Sequence, residues 1–203
     1  MDLMLSQWWV GLVIAIVIYL IGSNATSIVS FDSQLMGVFN VLLSLAEDFA
    51  FVISVPFVLI SIVAWFKAKH RSKLLERQND IESIRDLSWQ DFEVLVGEAC
   101  RRQGYTVEET GGGGADGGID LRLRKNGNLA IVQCKRWKTQ RVGVSPIREL
   151  FGLMIAEQAQ SAIFVCSGSY TKDALQFADQ NGISLVDGDA LYGLVEDVQE
   201  TPI

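Results

Sequence analysis

Two short segments about a dozen residues apart, Gly117-Gly118-Ile119-Asp120 and Gln133-Cys134-Lys135, each lie in a run that reads as a β-strand. An acid on one strand and a lysine on its neighbour can hold a metal ion and a water against a phosphodiester. Hydrolysis of that bond needs a divalent ion to neutralise developing charge and a positioned, activated water. Mg²⁺ prefers oxygen ligands, keeps several waters and commonly takes only one or two carboxylates. Asp120 would supply one carboxylate, the Gln133 side-chain oxygen and the Cys134 backbone carbonyl neutral ligands, and Glu93 a second carboxylate. Lys135 would orient or polarise the water, and Mn²⁺ suits the same donors.

Those residues meet only if the chain folds to bring them together. Strand side chains alternate faces, so Asp120, Arg122 and Arg124 should point one way while Ile119, Leu121 and Leu123 point the other. Gln133 and Lys135 share a face of the next strand. Taken singly, Asp120 reads as an ordinary strand-edge acid and Lys135 as a solvated strand residue.

The flanking elements follow from pattern. Ser88 is an N-cap with Asp91 three residues on, and Phe92, Leu95, Val96, Ala99 and Cys100 form one apolar face of a helix that Gly104 closes. Three strand-like runs follow, Tyr105 to Glu109, Ile119 to Arg124 and Leu129 to Lys135, the last two joined by the hairpin signal Lys125-Asn126-Gly127-Asn128. Helices are expected over Pro146 to Gln158 with Ser145 as cap, Lys172 to Gln180 and Ala190 to Glu196, and strands over Ala162 to Cys166 and Ile183 to Val186. That order predicts an α/β fold, a mixed β-sheet flanked by helices.

Charge agrees with a polyanionic substrate. The segment 121 to 148 holds Arg122, Arg124, Lys125, Lys135, Arg136, Lys138, Arg141 and Arg148 with no acid among them, although the chain as a whole carries a net charge of −7. A local basic zone serves a polyanion regardless of global charge, and Arg122, Arg136, Lys138 and Arg141 are the expected DNA contacts. Trp137 reads equally as a base-stacking or a packing residue. Gly111 to Gly114 read as a flexible hairpin loop, and the absence of a Gly-Lys-Ser/Thr ending excludes a phosphate-binding P-loop. Asp116 reads as loop structure ahead of metal ligation. Three widely spaced cysteines and a single His argue against a zinc site or a disulfide framework.

The run Phe92-Glu93, Gly104-Tyr105, Asp116-Gly117-Gly118-Ile119-Asp120, Gln133-Cys134-Lys135 and Ser167-Gly168-Ser169-Tyr170-Thr171 with Ala174 resembles the Mrr-type restriction endonuclease domain of the PD-(D/E)xK nuclease superfamily. The resemblance covers roughly Leu87 to Val195. It implies a restriction-endonuclease-like fold and a Mg²⁺-dependent, type IV restriction-like deoxyribonuclease that could act on foreign DNA. Asp120, Gln133 and Lys135 take the catalytic positions and Glu93 that of the helix acid. The wider superfamily usually has Asp or Glu where Gln133 stands, and Ser167 replaces a frequent Thr. A neutral residue at the metal leaves open a second reading, a nuclease-like domain that binds DNA or a partner without cutting.

The first third is a different physical object. All 17 Lys and Arg lie after Phe66, and residues 1 to 66 carry only Asp2, Asp32, Glu47 and Asp48 as charges. The apolar stretches Trp8 to Gly22 and Phe49 to Phe66 approach the roughly 20 residues of helix that a ~30 Å bilayer core requires, so two transmembrane helices are expected. A cleaved signal would need a positive n-region, which is missing. Lys67, Lys69, Arg71 and Lys73 follow the second stretch while 23 to 48 has no Lys or Arg, which orients the C-terminal domain to the cytoplasm. Trp8, Trp9 and Trp65 fit interfacial positions, His70 the basic flank, and 35 to 46 an interfacial helix with Glu47 and Asp48 at the outer surface. The expected organisation is a membrane anchor over 1–66, a charged helical stalk over 67–87 and a nuclease domain over 88–203. The setting is a bacterial inner membrane, multi-pass, with lipid and DNA as partners. Leu74, Ile81, Ile84 and Leu87 recur on the stalk at spacings that would suit a homo-oligomer.

Overall fold

The computed structural model describes residues 8–28, 37–110, 118–136 and 141–200, so Lys138, Trp137, Asp116 and the Gly111 to Gly114 loop lie outside the described residues. The chain divides into two compact units, Met1–His70 and Arg71–Ile203.

In the first unit, α1 (Trp8–Gly22) is followed by a single turn, α2 (Ala25–Ile28), and by the 40-residue α3 (Gly37–Glu76), whose C-terminal end belongs to the second unit. The expected break between an interfacial segment and a span at Phe49 is absent. Glu47 and Asp48 sit inside α3, because no Gly or Pro between 38 and 55 interrupts helical hydrogen bonding. Pro56 is accommodated within the same helix.

α1 and α3 pack antiparallel through small residues. A Cβ added at Gly11 would strike Ser61 Oγ, and one added at Gly22 would lie 2.7 Å from the Ala50 Cβ. Ala15, Ala50, Ser54, Ser61 and Ala64 are buried along this seam. The two serine hydroxyls donate back to Phe51 O at 2.8 Å and Phe57 O at 2.7 Å, which leaves no unpaired donor in an apolar contact. Large apolar side chains point outward instead, among them Ile16 at 56% and Val52 at 60% exposed. α3 is long and apolar enough to cross a membrane, and α1 is a shorter apolar helix.

The second unit contains α4 (Ile81–Asp86), α5 (Trp89–Arg102), β1 (Thr106–Glu109), β2 (Leu121–Lys125), β3 (Asn128–Lys135), β4 (Arg141–Val142), α6 (Val144–Ala156), β5 (Ser161–Cys166), β6 (Ser169–Tyr170), α7 (Lys172–Gln180), β7 (Ile183–Val186) and α8 (Gly188–Glu200). The main sheet has the order β1-β2-β3-β5-β7, antiparallel across β1, β2 and β3 and parallel from β3 through β5 to β7. β4 and β6 form a separate parallel pair that periodicity did not reveal, each being only two residues long. Asn126 (φ 53°) and Gly127 (φ 83°) make the tight hairpin expected of Asn-Gly. Ser88 caps α5 as expected, accepting the Asp91 N–H at 3.0 Å. α6 starts two residues ahead of its predicted Pro146, with Gly143 at the cap position instead of Ser145.

Helices cover both sheet faces. Leu95 and Val96 of α5 and Leu191 and Val195 of α8 pack on Leu121, Leu123 and Val132. On the other face Ile147 and Leu150 of α6 and Ala174 and Ala178 of α7 pack on Ile131 and Phe164.

The expected stalk is part of this domain. Leu75 and Ile84 are fully buried and Leu74 nearly so, all within the α5 and α8 side of the core. The helix ends at Glu76, and a new one starts at Ile81 behind an Asp80/Ser83 capping box. The apolar spacing that suggested self-association is therefore consumed by intramolecular burial. Glu98 on α5, 8% exposed, is met by Arg71 (3.6 Å), Arg101 (3.8 Å) and Arg102 (3.6 Å), which fastens the end of α3 to α5.

Leu75→Ala should accordingly cost the folded domain about 2–5 kcal/mol. Urea denaturation of the detergent-solubilised protein checks it, and a loss typical of a surface site, under about 0.5 kcal/mol, would place Leu75 outside the core.

Candidate active site

The β2–β3 ladder ends at the pair Leu121 and Val132. The Asp120 N–H also donates to the Val132 carbonyl, at 2.9 Å, so Asp120 and Leu121 together oppose one residue of β3. This is a β-bulge, which shifts side-chain parity and re-aims a residue at the sheet edge. The parity shift shows in the cores: Ile119 packs on the α6 and α7 side, whereas Leu121 and Leu123 pack on the α5 side. The simple alternation expected from sequence, with Asp120 beside Arg122, is broken at this point. Arg122 keeps its strand orientation and forms an ion pair with Glu157 at 3.1 Å.

The bulge turns Asp120 toward the unpaired end of β3. Its Oδ2 accepts the Cys134 N–H at 2.6 Å, replacing the ladder bond that β2 no longer supplies. Within a strand a residue's C=O points to the same side as its N–H, so the Cys134 carbonyl faces the same space beyond the last β2–β3 pair. Burial pushes the Cys134 thiol well above its usual range, so the sulfur stays neutral and only its main chain addresses the site.

Glu93, in the second turn of α5, meets Asp120 there. Both carboxyls are raised above their ordinary values, Glu93 to about 8, by burial and then by the neighbouring Asp120 charge and the hydrogen bond between the two side chains. Asp120, only 6% exposed, is raised by burial against the opposing pull of the Cys134 N–H, the Glu93 hydrogen bond and the Lys135 charge. Two carboxylates this close share a proton as long as no cation separates them.

Gln133 lies on the α6-facing side of β3, with Lys135 two residues on. Its amide rests against the backbone of Gly118, where φ is +103° and an added Cβ would come within 2.7 Å of Gln133 Nε2. Only glycine fits that contact. Gln133 Oε1 and Glu93 Oε1 are both buried and lack hydrogen-bond partners. Orphaned buried oxygens are costly, and one on a member of the carboxyl pair with another on the adjoining strand is what an oxygen-ligated cation would satisfy. The donor set fits a hard divalent ion: two carboxyls, one amide oxygen and one main-chain carbonyl. No group of three or more His, Cys, Asp or Glu that could hold a metal ion occurs among the described residues.

A family model for a restriction endonuclease catalytic domain, Mrr_cat, matches residues 84–195, more than half of the chain. The chain belongs to this restriction endonuclease family. The match covers every element from α5 through β7 and reaches into α8, so the Mrr_cat domain is the nuclease-like unit just described. The crystal structure of protein VC1899 from Vibrio cholerae is similar over 60% of this chain and 36% of that one, at 20% identity and a TM-score of 0.39. The chain thus spans little more than a third of that protein's length. A search of curated proteins returned no match.

Of the residues expected from sequence, Asp120 meets Glu93 and the Cys134 N–H and feels the Lys135 charge, while Gln133 and Lys135 lie on the α6-facing side of β3. Arg136 lies next to them and donates to Arg85 O at 3.5 Å; Arg141 is exposed on β4. The close approach of Gly118 to Gln133 was not foreseen, and only the positive φ exposes it.

The raised Glu93 carboxyl makes a pH prediction. Its folded value of about 8 against an ordinary 4.5 favours the folded state fully below about pH 4.5, and that contribution is lost as pH rises toward 8. In metal-free buffer, Glu93→Gln should therefore melt with the wild type at low pH and above it by a margin that widens between about 4.5 and 8. A constant offset across that range, read by thermal melts in EDTA, would contradict the buried acid pair.

Proposed function

We propose that this protein is a membrane-tethered, Mg²⁺- or Mn²⁺-dependent DNA endonuclease, type IV restriction-like, that cuts phosphodiester bonds on the cytoplasmic side. The observation that supports this reading is the buried Asp120–Glu93 carboxyl pair, with the Lys135 charge acting on Asp120 and an unpartnered Gln133 Oε1 on the neighbouring strand. Asp120 and Glu93 together offer two negative charges, so Glu93 supplies the charge that Gln133 does not. When bound, the ion would neutralise charge developing on the phosphate and acidify a water.

The residues then divide the work. Asp120 and Glu93, freed of their shared proton, would hold the ion with the Gln133 amide oxygen and the Cys134 carbonyl, and Lys135 would hold the attacking water by its ammonium. Arg136, Lys138 and Arg141 are the proposed phosphate contacts. Arg122, already held by Glu157, adds to the positive field.

Tethering rests on the apolar exterior and small-residue seam of α1 and α3, an inverted arrangement that suits lipid better than water. The Lys and Arg following Phe66 favour the cytoplasmic side for the nuclease domain. Such an enzyme would meet DNA entering the cell, which agrees with a role against foreign DNA.

Detergent-solubilised protein should nick supercoiled plasmid with Mg²⁺ or Mn²⁺ and stop on EDTA addition. Asp120→Ala and Lys135→Ala should each lower the rate at least about 10²-fold. Undiminished cleavage by either variant would remove the site assignment, and salt-sensitive DNA binding without product under both ions would favour a binding domain.

A further inference from the structure

We infer that Thr110, immediately after β1, is a positioning residue whose hydroxyl sets the bulge that aims Asp120; the inference builds on the metal-dependent reading above. The Thr110 N–H donates to the Asp120 carbonyl at 3.1 Å, and Thr110 Oγ1 lies 3.0 Å from the same oxygen. The hydroxyl also contacts the carbonyl of Ile119. It therefore bridges the two carbonyls at the point where side-chain parity changes.

The geometry explains why a side chain is needed there. β1 remains in register with β2 through the pair Glu109 and Leu121, and Thr110 continues that register opposite Asp120. β3, by contrast, slips by one residue at Asp120. Residues 119–120 thus answer to two strands in different registers, and the main-chain bond from Thr110 reaches only the Asp120 carbonyl, leaving that of Ile119 to the side chain. An unbulged Asp120 would join Arg122 on the α6-facing side, away from Glu93 and the Cys134 N–H. Thr110 Oγ1 adds a donor that reaches both carbonyls only while they are turned as the bulge turns them.

Thr110 touches neither the proposed ion nor substrate, and acts through Asp120. Residues of this kind typically change metal affinity or activity about 10–100-fold when lost. Thr110→Val keeps shape and removes the donor; Thr110→Ser keeps the donor.

Mn²⁺ affinity of the full-length protein in detergent, measured by calorimetry without DNA, should fall about 10–100-fold in Thr110→Val and stay within about threefold of wild type in Thr110→Ser. Plasmid cleavage should show the same pattern in kcat, with KM for DNA unchanged. Thr110→Ala serves the same comparison should the valine variant not fold. Unchanged Mn²⁺ affinity in Thr110→Val, or an equal loss in Thr110→Ser, overturns the role of the hydroxyl. Asp120→Ala in parallel separates the failures: if it binds Mn²⁺ like wild type, or if wild type binds none, the metal reading itself falls and Thr110 with it. If Asp120→Ala loses Mn²⁺ while Thr110→Val retains it, only the positioning role falls.

Discussion

The hydrogen bond from the Cys134 N–H to Asp120 Oδ2 is the constraint on which the site depends. β2 leaves β3 after Leu121, and a main-chain donor at the end of a strand must find another acceptor. The carboxylate takes that place, which fixes Asp120 in the plane of the sheet. Glu93 is then brought against it by the packing of α5 through Phe92, Leu95 and Val96. The result is an acid pair held in a buried corner where neither member reaches ionisation at its ordinary pH.

The same economy appears in the neutral member of the set. A third acid at Gln133 would add charge to a pair that already cannot ionise freely, whereas an amide provides an oxygen without charge. Gly118 makes room for it by adopting a conformation closed to residues with a Cβ. The candidate site thus draws on three places in the chain: the α5 face that carries Glu93, the bulge that carries Asp120 and the end of β3 that carries Gln133.

α3 runs from the first unit into the second. From Arg71 onward its side chains belong to the nuclease domain, through Leu74, Leu75 and the arginines gathered on Glu98. Glu98 lies five residues beyond Glu93 on α5, so the helix that carries an acid of the site is the one that α3 grips. A buried charged network of this kind adds little net stability, since desolvation offsets most of its Coulombic gain.

Much of this was legible from residues alone. The helix from the Ser88 cap, the Asn-Gly hairpin and the mixed sheet follow from caps, turn chemistry and periodicity, which are local properties, whereas Glu93, Asp120, Gln133 and Lys135 stood out as a set through the order of a family resemblance. What they left open was how Asp120 reaches Glu93, whether residues 71–84 form a stalk or a core, and whether Arg122 faces substrate or Glu157. Period-two alternation assumes an unbroken strand, and one bulged residue reverses it. Apolar spacing states that a helix has a face to bury but not against what, and a cation's partner can lie 35 residues away. Those outcomes are set by contacts between distant segments, so only the tertiary structure decided them.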